Sequence, residues 1–374
     1  MGDPVRVLNV VVNMNRGGAE TLLMNLYRNL DRTRIQFDFL TCKPGVFDKE
    51  IQELGGVIHR IPYISDVGHF GYIKALKQFF SVHQEYKILH SHLDKMSGVV
   101  LREAKKVGIP IRISHSHNTQ SEGGRAAKLY KWYVGKLILP NATNYFACSS
   151  EAAQWLYSKR FNMVTVLKNG IEYEKFAFNQ KVRDIIREEL GIADDTCVFG
   201  HIGRFNHQKN HTFLLDLFAE FHRKQPQSTL ILIGDGPLRS EMELKARSLG
   251  LEGKVMFLGI RSDIDRLLQA FDAFLFPSIH EGLPVSLIEA QGAGLPCIIA
   301  DHISPEVDLG KGLIDYAPIS SLDNWVGKMK GIVHVKNSRN RHLETDTLSS
   351  KGFDIKETAS ELEKYYKSLV RDTI

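Results

Sequence analysis

The chain of 374 residues is predicted to be an α/β protein made of two doubly wound, parallel-sheet domains. In both halves, short apolar segments of strand length alternate with helical segments, which is typical of βαβ units. The pattern occurs twice, and a chain of this length favours two domains that each bury a core. Hydrophobic residues make up 43% and charged residues 24%, the composition of an ordinary globular protein.

The first half opens with an apolar strand at residues 7–12, followed by a glycine turn and a helix at 19–30. Five further strands are predicted, with helical segments between most of them, at 37–41, 88–90, 111–114, 145–148 and 164–167. The first domain is predicted to span residues 1–172, because the last of these strands stops at the turn dipeptide Asn169-Gly170.

The second domain, predicted for residues 173–354, repeats the scheme. Its strands are predicted at 198–202, 229–233, 255–258, 273–276 and 297–300. Ligands of open parallel sheets bind beyond the carboxyl ends of the strands. With two such domains facing each other, we expect the active site in the cleft between them.

Two glutamates stand eight positions apart: Glu281 follows the strand at 273–276, and Glu289 lies about two turns into the next helix. The turn that opens this helix consists of Gly282, Leu283, Pro284 and Val285. A helix N-terminus offers free N–H groups and a partial positive charge, which suit a phosphate. A carboxylate further along the helix can accept hydrogen bonds from sugar hydroxyls. The arrangement predicts a nucleotide-sugar site.

Arg204 and Lys209 follow the strand at 198–202, where the chain enters a helix at 212–221. Arginine offers a bidentate fork and lysine a point charge, so the pair can neutralise a leaving diphosphate. Bonds that strengthen as the leaving group departs lower the barrier to transfer.

Gly17 and Gly18 end the first strand and open the first helix. Two glycines let a phosphate approach backbone amides closely, although a tight turn without a ligand would use the same residues.

His115 and His117 follow the strand at 111–114, and the alternation of an extended segment directs both to the same side. A metal site needs a third ligand, and no convincing one stands at a suitable spacing. Asp263 and Asp265 superficially resemble a metal-binding Asp-x-Asp pair, but Asp263 lies at a helix start and is interpreted as an N-cap. We expect no metal requirement and no other cofactor.

Five segments together resemble retaining glycosyltransferase family 4. They are 15–20 (Asn-Arg-Gly-Gly-Ala-Glu), 115–118 (His-Ser-His-Asn), 203–210 (Gly-Arg-Phe-Asn-His-Gln-Lys-Asn), 234–238 (Gly-Asp-Gly-Pro-Leu) and 281–289, the last similar to the family's E-x7-E signature. The resemblance covers nearly the whole chain and is greatest to bacterial enzymes that assemble exopolysaccharide or capsule repeat units. It implies the type B glycosyltransferase fold of two Rossmann-like domains, with a final helix at 355–369 packing back on the N-terminal, acceptor-binding domain.

The resemblance also implies roles for the site residues. It assigns Arg204 and Lys209 to the diphosphate, Glu289 to the ribose hydroxyls, and Glu281 with the backbone of 282–285 to the donor sugar and phosphate. His117, with His115 as the alternate, is the expected sugar-contacting and catalytic histidine. The remaining expected contacts are Gly17 and Gly18 near the donor phosphate and the acceptor, and Arg261 in the segment that holds the base and ribose.

The implied reaction is transfer of a sugar from a nucleotide diphosphate, with UDP favoured, to a saccharide acceptor that is plausibly lipid-linked. Retention of anomeric configuration follows from the resemblance, as does a front-face mechanism in which the leaving phosphate helps to deprotonate the acceptor hydroxyl.

Charge is distributed unevenly along the chain. Residues 1–175 hold 24 lysines and arginines against 15 aspartates and glutamates, whereas residues 176–374 hold 24 against 28. A basic N-terminal half suggests an anionic partner. No nucleic-acid-binding pattern is present, and an anionic membrane surface fits better. The segment 124–139 mixes basic and aromatic residues at helical spacing, although an ordinary amphipathic helix packed on the sheet would share this pattern.

The expected location is the cytoplasm, with peripheral attachment to the inner face of the plasma membrane. No apolar run of 18 residues and no signal-peptide pattern occurs, and the four cysteines are scattered, as in a reducing compartment. Two alternatives stay open: a non-catalytic scaffold subunit that binds sugar nucleotides, and a sugar-nucleotide epimerase on the same fold. A Rossmann oxidoreductase is disfavoured, because neither half carries G-x-G-x-x-G after a strand.

Overall fold

The computed structural model describes residues 3–335, 341–343 and 346–371. The chain divides into two compact units, one made of Met1–Gly170 and Gly352–Ile374, the other of Ile171–Lys351. The sequence prediction had placed the two changes of domain after residues 172 and 354. The chain thus enters the second unit once and returns to the first with its last helix.

The first unit contains a seven-stranded sheet in which all pairings are parallel. Its strands are β1 Val5–Val10, β2 Ile35–Thr41, β3 Ile58–Arg60, β4 Ile88–Ser91, β5 Ile111–Ser116, β6 Asn144–Ala147 and β7 Val164–Val166. Their order across the sheet is β3-β2-β1-β4-β5-β6-β7. Strand β3 was not predicted, because it is a short edge strand of sequence Ile-His-Arg with no continuous apolar run.

Helices cover this sheet, and the last helix of the chain is one of them. They are α1 Gly18–Asn29, α2 Asp48–Glu53, α3 Ile64–Val82, α4 Ser97–Lys106, α5 Arg125–Gly135, α6 Ile138–Asn141, α7 Ser150–Tyr157 and, at the C-terminus, Ile355–Arg371. Tyr366 of the C-terminal helix is fully buried, and its ring lies 6.2 Å from that of Phe37 on β2. Phe37 in turn stacks on Tyr27 of α1 with 5.4 Å between centroids, so the two helices share one hydrophobic core.

The second unit contains a six-stranded parallel sheet. Its strands are β8 Cys197–Ile202, β9 Ser228–Ile233, β10 Val255–Gly259, β11 Ala273–Phe276, β12 Cys297–Ala300 and β13 Ile314–Ala317. They are ordered β10-β9-β8-β11-β12-β13. The short edge strand β13 was not predicted, for the same reason as β3.

Helices of the second unit again lie between the strands. They are α8 Tyr173–Phe176, α9 Gln180–Glu189, α10 His211–Lys224, α11 Arg239–Ser248, α12 Ile264–Ala270, α13 Val285–Gly292, α14 Leu322–Val335 and α15 Asp346–Ser350, so the C-terminal helix is α16. Across the described residues, no helix combines the length and apolar character needed to cross a bilayer. The two doubly wound parallel sheets confirm the predicted fold class.

Both sheets reverse their strand order at an equivalent place, between β1 and β4 in the first unit and between β8 and β11 in the second. Ligands of doubly wound sheets bind at such a switch point, beyond the carboxyl ends of the strands. The loop after β8 carries Arg204 and Lys209, and the loop after β11 carries Glu281. The loops after β1 and β4 carry Gly17 and His92.

Candidate active site

Lys209 and Glu281 form an ion pair at the switch point of the second sheet. Lys209 Nζ donates a hydrogen bond to Glu281 Oε1 over 2.7 Å, and the two side chains are only 15% and 9% exposed. Lys209 Nζ also lies 4.8 Å from the centroid of the Phe276 ring, within cation–π range. An ammonium group has three donors, so this lysine can contact an anion while it stays paired.

Hydrogen bonds fix the segment that carries Lys209 against the loop after β11. Asn206 Oδ1 accepts a bond from the Lys209 amide over 3.2 Å. Ile279 N donates to Gln208 O over 2.7 Å, and Gln208 Nε2 donates to His280 O over 2.8 Å. These bonds hold the segment in register with the strand end before Glu281, so the ion pair joins two positioned loops.

Arg204 lies five residues before Lys209 and is exposed. In the described part of the chain, its guanidinium has neither a hydrogen-bond partner nor an ion-pair partner. A free guanidinium offers a planar fork to a phosphate.

The loop after β9 supports the segment that carries Arg204. A Cβ on Gly234 would lie 2.1 Å from Gly203 O, and one on Gly236 would lie 2.5 Å from Phe205 O. Gly234 also has a φ of +137°, which side chains rarely allow. Turn chemistry alone therefore does not account for these glycines. They also allow the backbone of the loop after β9 to contact the backbone of Gly203 and Phe205, the two neighbours of Arg204.

Helix α13 begins at Val285, directly after Pro284, and no side chain caps its N-terminus. The residues before it, Gly282, Leu283 and Pro284, are buried. An uncapped first turn leaves backbone N–H groups for an anion.

Glu289 lies on α13, and burial raises the pKa of its carboxyl group to about 7. Repulsion from the Asp265 carboxylate on α12 adds to this effect. The group is therefore close to half-ionised at neutral pH. Hydroxyl groups that donate hydrogen bonds to it would favour its ionised form.

Arg261, expected near the base and ribose, is engaged by a carboxylate of its own unit. Its Nε donates to Asp263 Oδ1 over 2.8 Å and its Nη2 to Asp263 Oδ2 over 2.6 Å. This bidentate bond lowers the pKa of Asp263. Asp263 immediately precedes α12, but its side chain does not cap that helix. Asp263 is thus the N-cap residue of α12, as predicted, but its carboxylate binds Arg261 and makes no capping hydrogen bond.

In the first unit, four histidines form a compact array at the ends of two adjacent strands. His90 and His92 end β4, and His115 and His117 end β5. The ring of His90 stacks on that of His92 at 4.2 Å between centroids, and His115 stacks on His117 at 4.0 Å. Hydrogen bonds join the strands, with 3.2 Å between His115 Nδ1 and His90 Nε2 and 2.9 Å between His92 Nδ1 and His117 Nε2.

The array reveals two residues that the sequence analysis missed, His90 and His92. The signal was a repeated tripeptide, since His-Ser-His occurs at both 90–92 and 115–117. One ring nitrogen from each of His90, His92 and His115 lies within 4.8 Å of the others. The third imidazole that sequence spacing did not offer therefore comes from the neighbouring strand.

The tautomer of His117 follows from its neighbours. Asn9 Nδ2 donates to the Val7 carbonyl over 3.3 Å, which leaves Asn9 Oδ1 to accept from His92 Nε2–H over 3.2 Å. Burial lowers the pKa of His92 well below its usual value, so its Nδ1 carries a lone pair that accepts from His117 Nε2–H. Burial also lowers the pKa of His117 to about 3. His117 Nδ1 is then an acceptor with no partner among the described residues.

Gly17 and Gly18 lie at the start of α1, where Gly17 is the N-cap. Neither glycine has a positive φ. A Cβ on Gly18 would meet nothing within 4 Å, and one on Gly17 would meet only the Glu20 side chain, at 2.2 Å. The fold itself therefore does not require glycine at position 18.

Helix α5, which carries the basic and aromatic segment, lies mostly outside the protein core. Leu129, Trp132 and Tyr133 are 66%, 52% and 56% exposed, and of its residues only Val134 is buried. Lys136 Nζ lies 3.5 Å from the centroid of the Trp132 ring. An ordinary amphipathic helix buries its aromatic residues, whereas Trp132 and Tyr133 of α5 are more than half exposed.

Comparisons with known proteins agree with this arrangement. Residues 17–170 match the family model described as glycosyl transferase 4-like domain, and residues 182–311 match glycosyl transferases group 1. EpsF of Bacillus subtilis (strain 168), which is named as a glycosyltransferase, is 38% identical over 370 residues, covering 96% of each chain.

Two further proteins are similar over most of the chain. The UDP-Gal:alpha-D-GlcNAc-diphosphoundecaprenol alpha-1,3-galactosyltransferase of Escherichia coli is 26% identical, covering 80% of this chain and 81% of its own. The crystal structure of Anabaena Alr3699/HepE in complex with UDP and glucose has a TM-score of 0.81 at 19% identity and covers 97% of this chain and 99% of its own. The chain therefore belongs to glycosyltransferase family 4 and has the type B fold of two Rossmann-like domains.

Proposed function

We propose that this glycosyltransferase moves a sugar from UDP to a lipid-linked saccharide acceptor in exopolysaccharide or capsule biosynthesis. The observation that carries the proposal is the Lys209–Glu281 ion pair, next in sequence to the uncapped N-terminus of α13. The name of the Escherichia coli relative, which specifies UDP-galactose and a diphosphoundecaprenol-linked acceptor, supports both the donor and the acceptor class. HepE was crystallised with UDP and glucose, which also favours a uridine donor.

In this proposal the second unit holds the donor. Arg204 and Lys209 bind the diphosphate, and the first-turn amides of α13 bind a phosphate oxygen. Glu289 accepts hydrogen bonds from the ribose hydroxyls, and Glu281 binds the donor sugar. Because cationic side chains and a helix N-terminus neutralise the leaving group, we expect no metal ion on the diphosphate.

The first unit is proposed to receive the acceptor, with Gly17 and Gly18 close to the donor phosphate and the acceptor. His117 Nδ1 accepts a hydrogen bond from a donor-sugar hydroxyl, as its tautomer requires. We propose that the reaction retains the anomeric configuration. In the front-face mechanism the leaving phosphate takes the acceptor proton, which reduces the demand on a protein base.

We further propose that α5 attaches the protein to the cytoplasmic face of an anionic membrane. Its exposed Leu129, Trp132 and Tyr133 are accompanied by the basic Arg125 and Lys128. Aromatic rings at the interface and cations at the headgroups are the usual elements of such attachment. A lipid-linked acceptor would then be presented at the surface on which the enzyme lies.

The donor assignment is tested by thermal shift with UDP, GDP and ADP in buffer containing EDTA, on the wild type and a Lys209→Ala variant. Stabilisation by UDP alone, lost in the variant, supports the diphosphate site and a UDP-sugar donor. No shift with any nucleotide contradicts the donor site and favours the scaffold alternative. Incubation with UDP-sugars and no acceptor then tests the epimerase alternative, which predicts conversion to an epimeric UDP-sugar.

A further inference from the structure

We propose that the first unit binds a zinc-class divalent cation between His90, His92 and His115. One ring nitrogen from each of these imidazoles lies within 4.8 Å of the others, and all three side chains are buried. Imidazole is the nitrogen ligand that Zn²⁺, Co²⁺ and Cu²⁺ share. The site lies in the first unit, so it does not rest on the assignment of the donor site in the second unit, although His92 Nδ1 is also the atom that accepts from His117 Nε2–H.

Two of the three imidazoles already have the outer hydrogen bond that metal-binding histidines usually make. A ligating histidine holds its second ring nitrogen with an oxygen partner, which fixes the ring and its tautomer. His90 Nδ1 lies 2.7 Å from Tyr366 Oη, and His92 Nε2 lies 3.2 Å from Asn9 Oδ1. These bonds leave His90 Nε2 and His92 Nδ1 facing the neighbouring imidazoles, and we call these the inner nitrogens.

One pair of the inner nitrogens already has a spacing that suits a small cation. His90 Nε2 and His115 Nδ1 lie 3.2 Å apart. Two ligands at about 2.0–2.1 Å from a tetrahedral zinc ion are separated by about 3.3–3.4 Å. Small ring rotations would therefore replace the present hydrogen bond with two metal bonds. The neutral imidazoles need only place their protons on the outer nitrogens, so no net proton release is required.

His115 Nδ1 is the third nitrogen that faces the other imidazoles, because it lies 3.2 Å from His90 Nε2. His115 Nε2 is buried without a hydrogen-bond partner among the described residues, and coordination through Nδ1 does not give it one.

A fourth ligand is within reach. A water molecule can take the fourth position, because His117 carries its proton on Nε2 and its Nδ1 is the acceptor proposed for a sugar hydroxyl. Asp94 lies at the same edge and accepts hydrogen bonds from the His117 amide and from Asn118 Nδ2.

The test uses full-length protein without a polyhistidine tag, stripped with EDTA and dialysed against Zn²⁺ or Co²⁺. We expect one tightly held cation per chain by elemental analysis, and visible absorption bands of four-coordinate Co²⁺. His115→Phe should lower the affinity at least tenfold. Tyr366→Phe, which removes only the outer hydroxyl from His90, should lower it about tenfold.

A matched control is His59→Gln, because His59 and His83 form another pair of close rings in the same unit, 4.3 Å apart. This variant should bind the cation as the wild type does. Circular dichroism and urea unfolding verify that each variant is folded. The proposal is overturned if the wild type retains no cation, if His115→Phe binds as tightly as the wild type, or if His59→Gln alone loses binding. The UDP thermal shift in EDTA is unaffected by any of these outcomes, so the two proposals fail separately.

Discussion

Lys209 Nζ and Glu281 Oε1 lie 2.7 Å apart, although 72 residues separate them in the chain. The pair is electrically neutral, so it cannot by itself balance the charge of a diphosphate. The bond to the Glu281 carboxylate fixes the orientation of the two remaining N–H donors of Lys209. The net positive charge of the site comes from Arg204 and from the N-terminus of α13. In the proposed function, binding of a nucleotide therefore depends on all three features together.

Removal of the Lys209 side chain should affect both the affinity for UDP and the stability of the protein. Lys209→Met should weaken UDP binding at least tenfold, since a hydrogen bond to a charged group contributes about 1.5–3 kcal/mol. It should also lower the free energy of unfolding by about 1–3 kcal/mol, because a nearly buried Glu281 loses its partner. Calorimetric titration and urea unfolding measure the two effects.

The double variant Lys209→Met with Glu281→Gln should regain part of that stability, though not the UDP affinity. The control is Lys224→Met, which breaks a surface pair with Glu220 at the end of α10 and should change stability by less than about 1 kcal/mol. Equal UDP affinity in Lys209→Met and wild type would contradict the role of Lys209.

Nucleotide affinity should rise with pH through the titration of Glu289, whose pKa is raised to about 7. Ribose hydroxyls donate to the ionised carboxylate, so binding favours the form that predominates above pH 7. UDP titrated at pH 6, 7 and 8 should show this increase beyond the ionisation of the nucleotide itself. Glu289→Gln should remove that extra pH dependence, and its persistence there would exclude Glu289 as the cause.

Glu289 also affects stability with a defined sign. Its folded pKa lies above the unfolded value, so its favourable contribution is complete below about pH 4.5 and is lost as the pH rises through about 7. The stability of Glu289→Gln relative to that of the wild type should therefore be greater at pH 8 than at pH 5. Urea unfolding at the two pH values measures this change.

Gly234→Ala should destabilise the second unit and weaken UDP binding together. The new Cβ would overlap Gly203 O at 2.1 Å, so the loop after β9 must separate from the segment that carries Arg204. We expect a loss above about 2 kcal/mol, larger than the cost of an unfavourable φ alone. Gly250→Ala is the matched control, because Gly250 has a φ of +72° with nothing within 4 Å. Equal losses in the two variants would show that the backbone contact is unimportant.

His211→Phe should make the protein less sensitive to acid. His211 stacks on Phe205 at 4.0 Å, and neither of its ring nitrogens has a hydrogen-bond partner in the described chain. Burial lowers its pKa to about 2, so below pH 6.5 the unfolded chain takes up a proton that the folded chain refuses.

Stability from His211 is therefore complete above pH 6.5 and falls as the pH drops, by about 2 kcal/mol between pH 6.5 and pH 5. Urea unfolding at pH 7 and pH 5 should show a smaller decrease for the variant. A decrease equal to that of the wild type would mean that His211 is protonated in the folded protein.

The exposed face of α5 should bind anionic vesicles. Trp132→Ser with Tyr133→Ser should reduce sedimentation with phosphatidylglycerol vesicles, and Lys128→Glu should weaken it further, since each basic residue near the surface contributes about 1 kcal/mol. Leu244→Ser, which removes an exposed apolar side chain from the second unit, should have no effect. Equal binding to pure phosphatidylcholine would contradict the electrostatic part of the proposal.

Prediction from the sequence was most accurate for strands whose apolar pattern lies within one continuous segment. Strands β1 and β8 are mostly apolar, with only Arg6 and Asn9 in β1 and His201 in β8 as polar residues, and both were predicted with small errors in their ends. Edge strands β3 and β13 were missed, because one face of each is exposed and the apolar pattern is short.

Pairing between distant segments was beyond the sequence analysis. Glu281 and Lys209 were both predicted as site residues, but their contact depends on the adjacency of β8 and β11. In the same way, His115 was identified without His90, which reaches it only because β4 pairs with β5. Strand order is a property of the assembled sheet, and a local pattern does not encode it.

The return of the chain to the first unit has a consequence for the folding of this protein during translation. Helix α16 supplies Tyr366 to the core of a unit whose sheet is encoded by the first half of the chain. During translation, the second unit is complete while the first still lacks its last helix. Until α16 is synthesised, the N-terminal sheet lacks the cover that Tyr366 provides over Phe37, so this apolar surface is open to aggregation during translation.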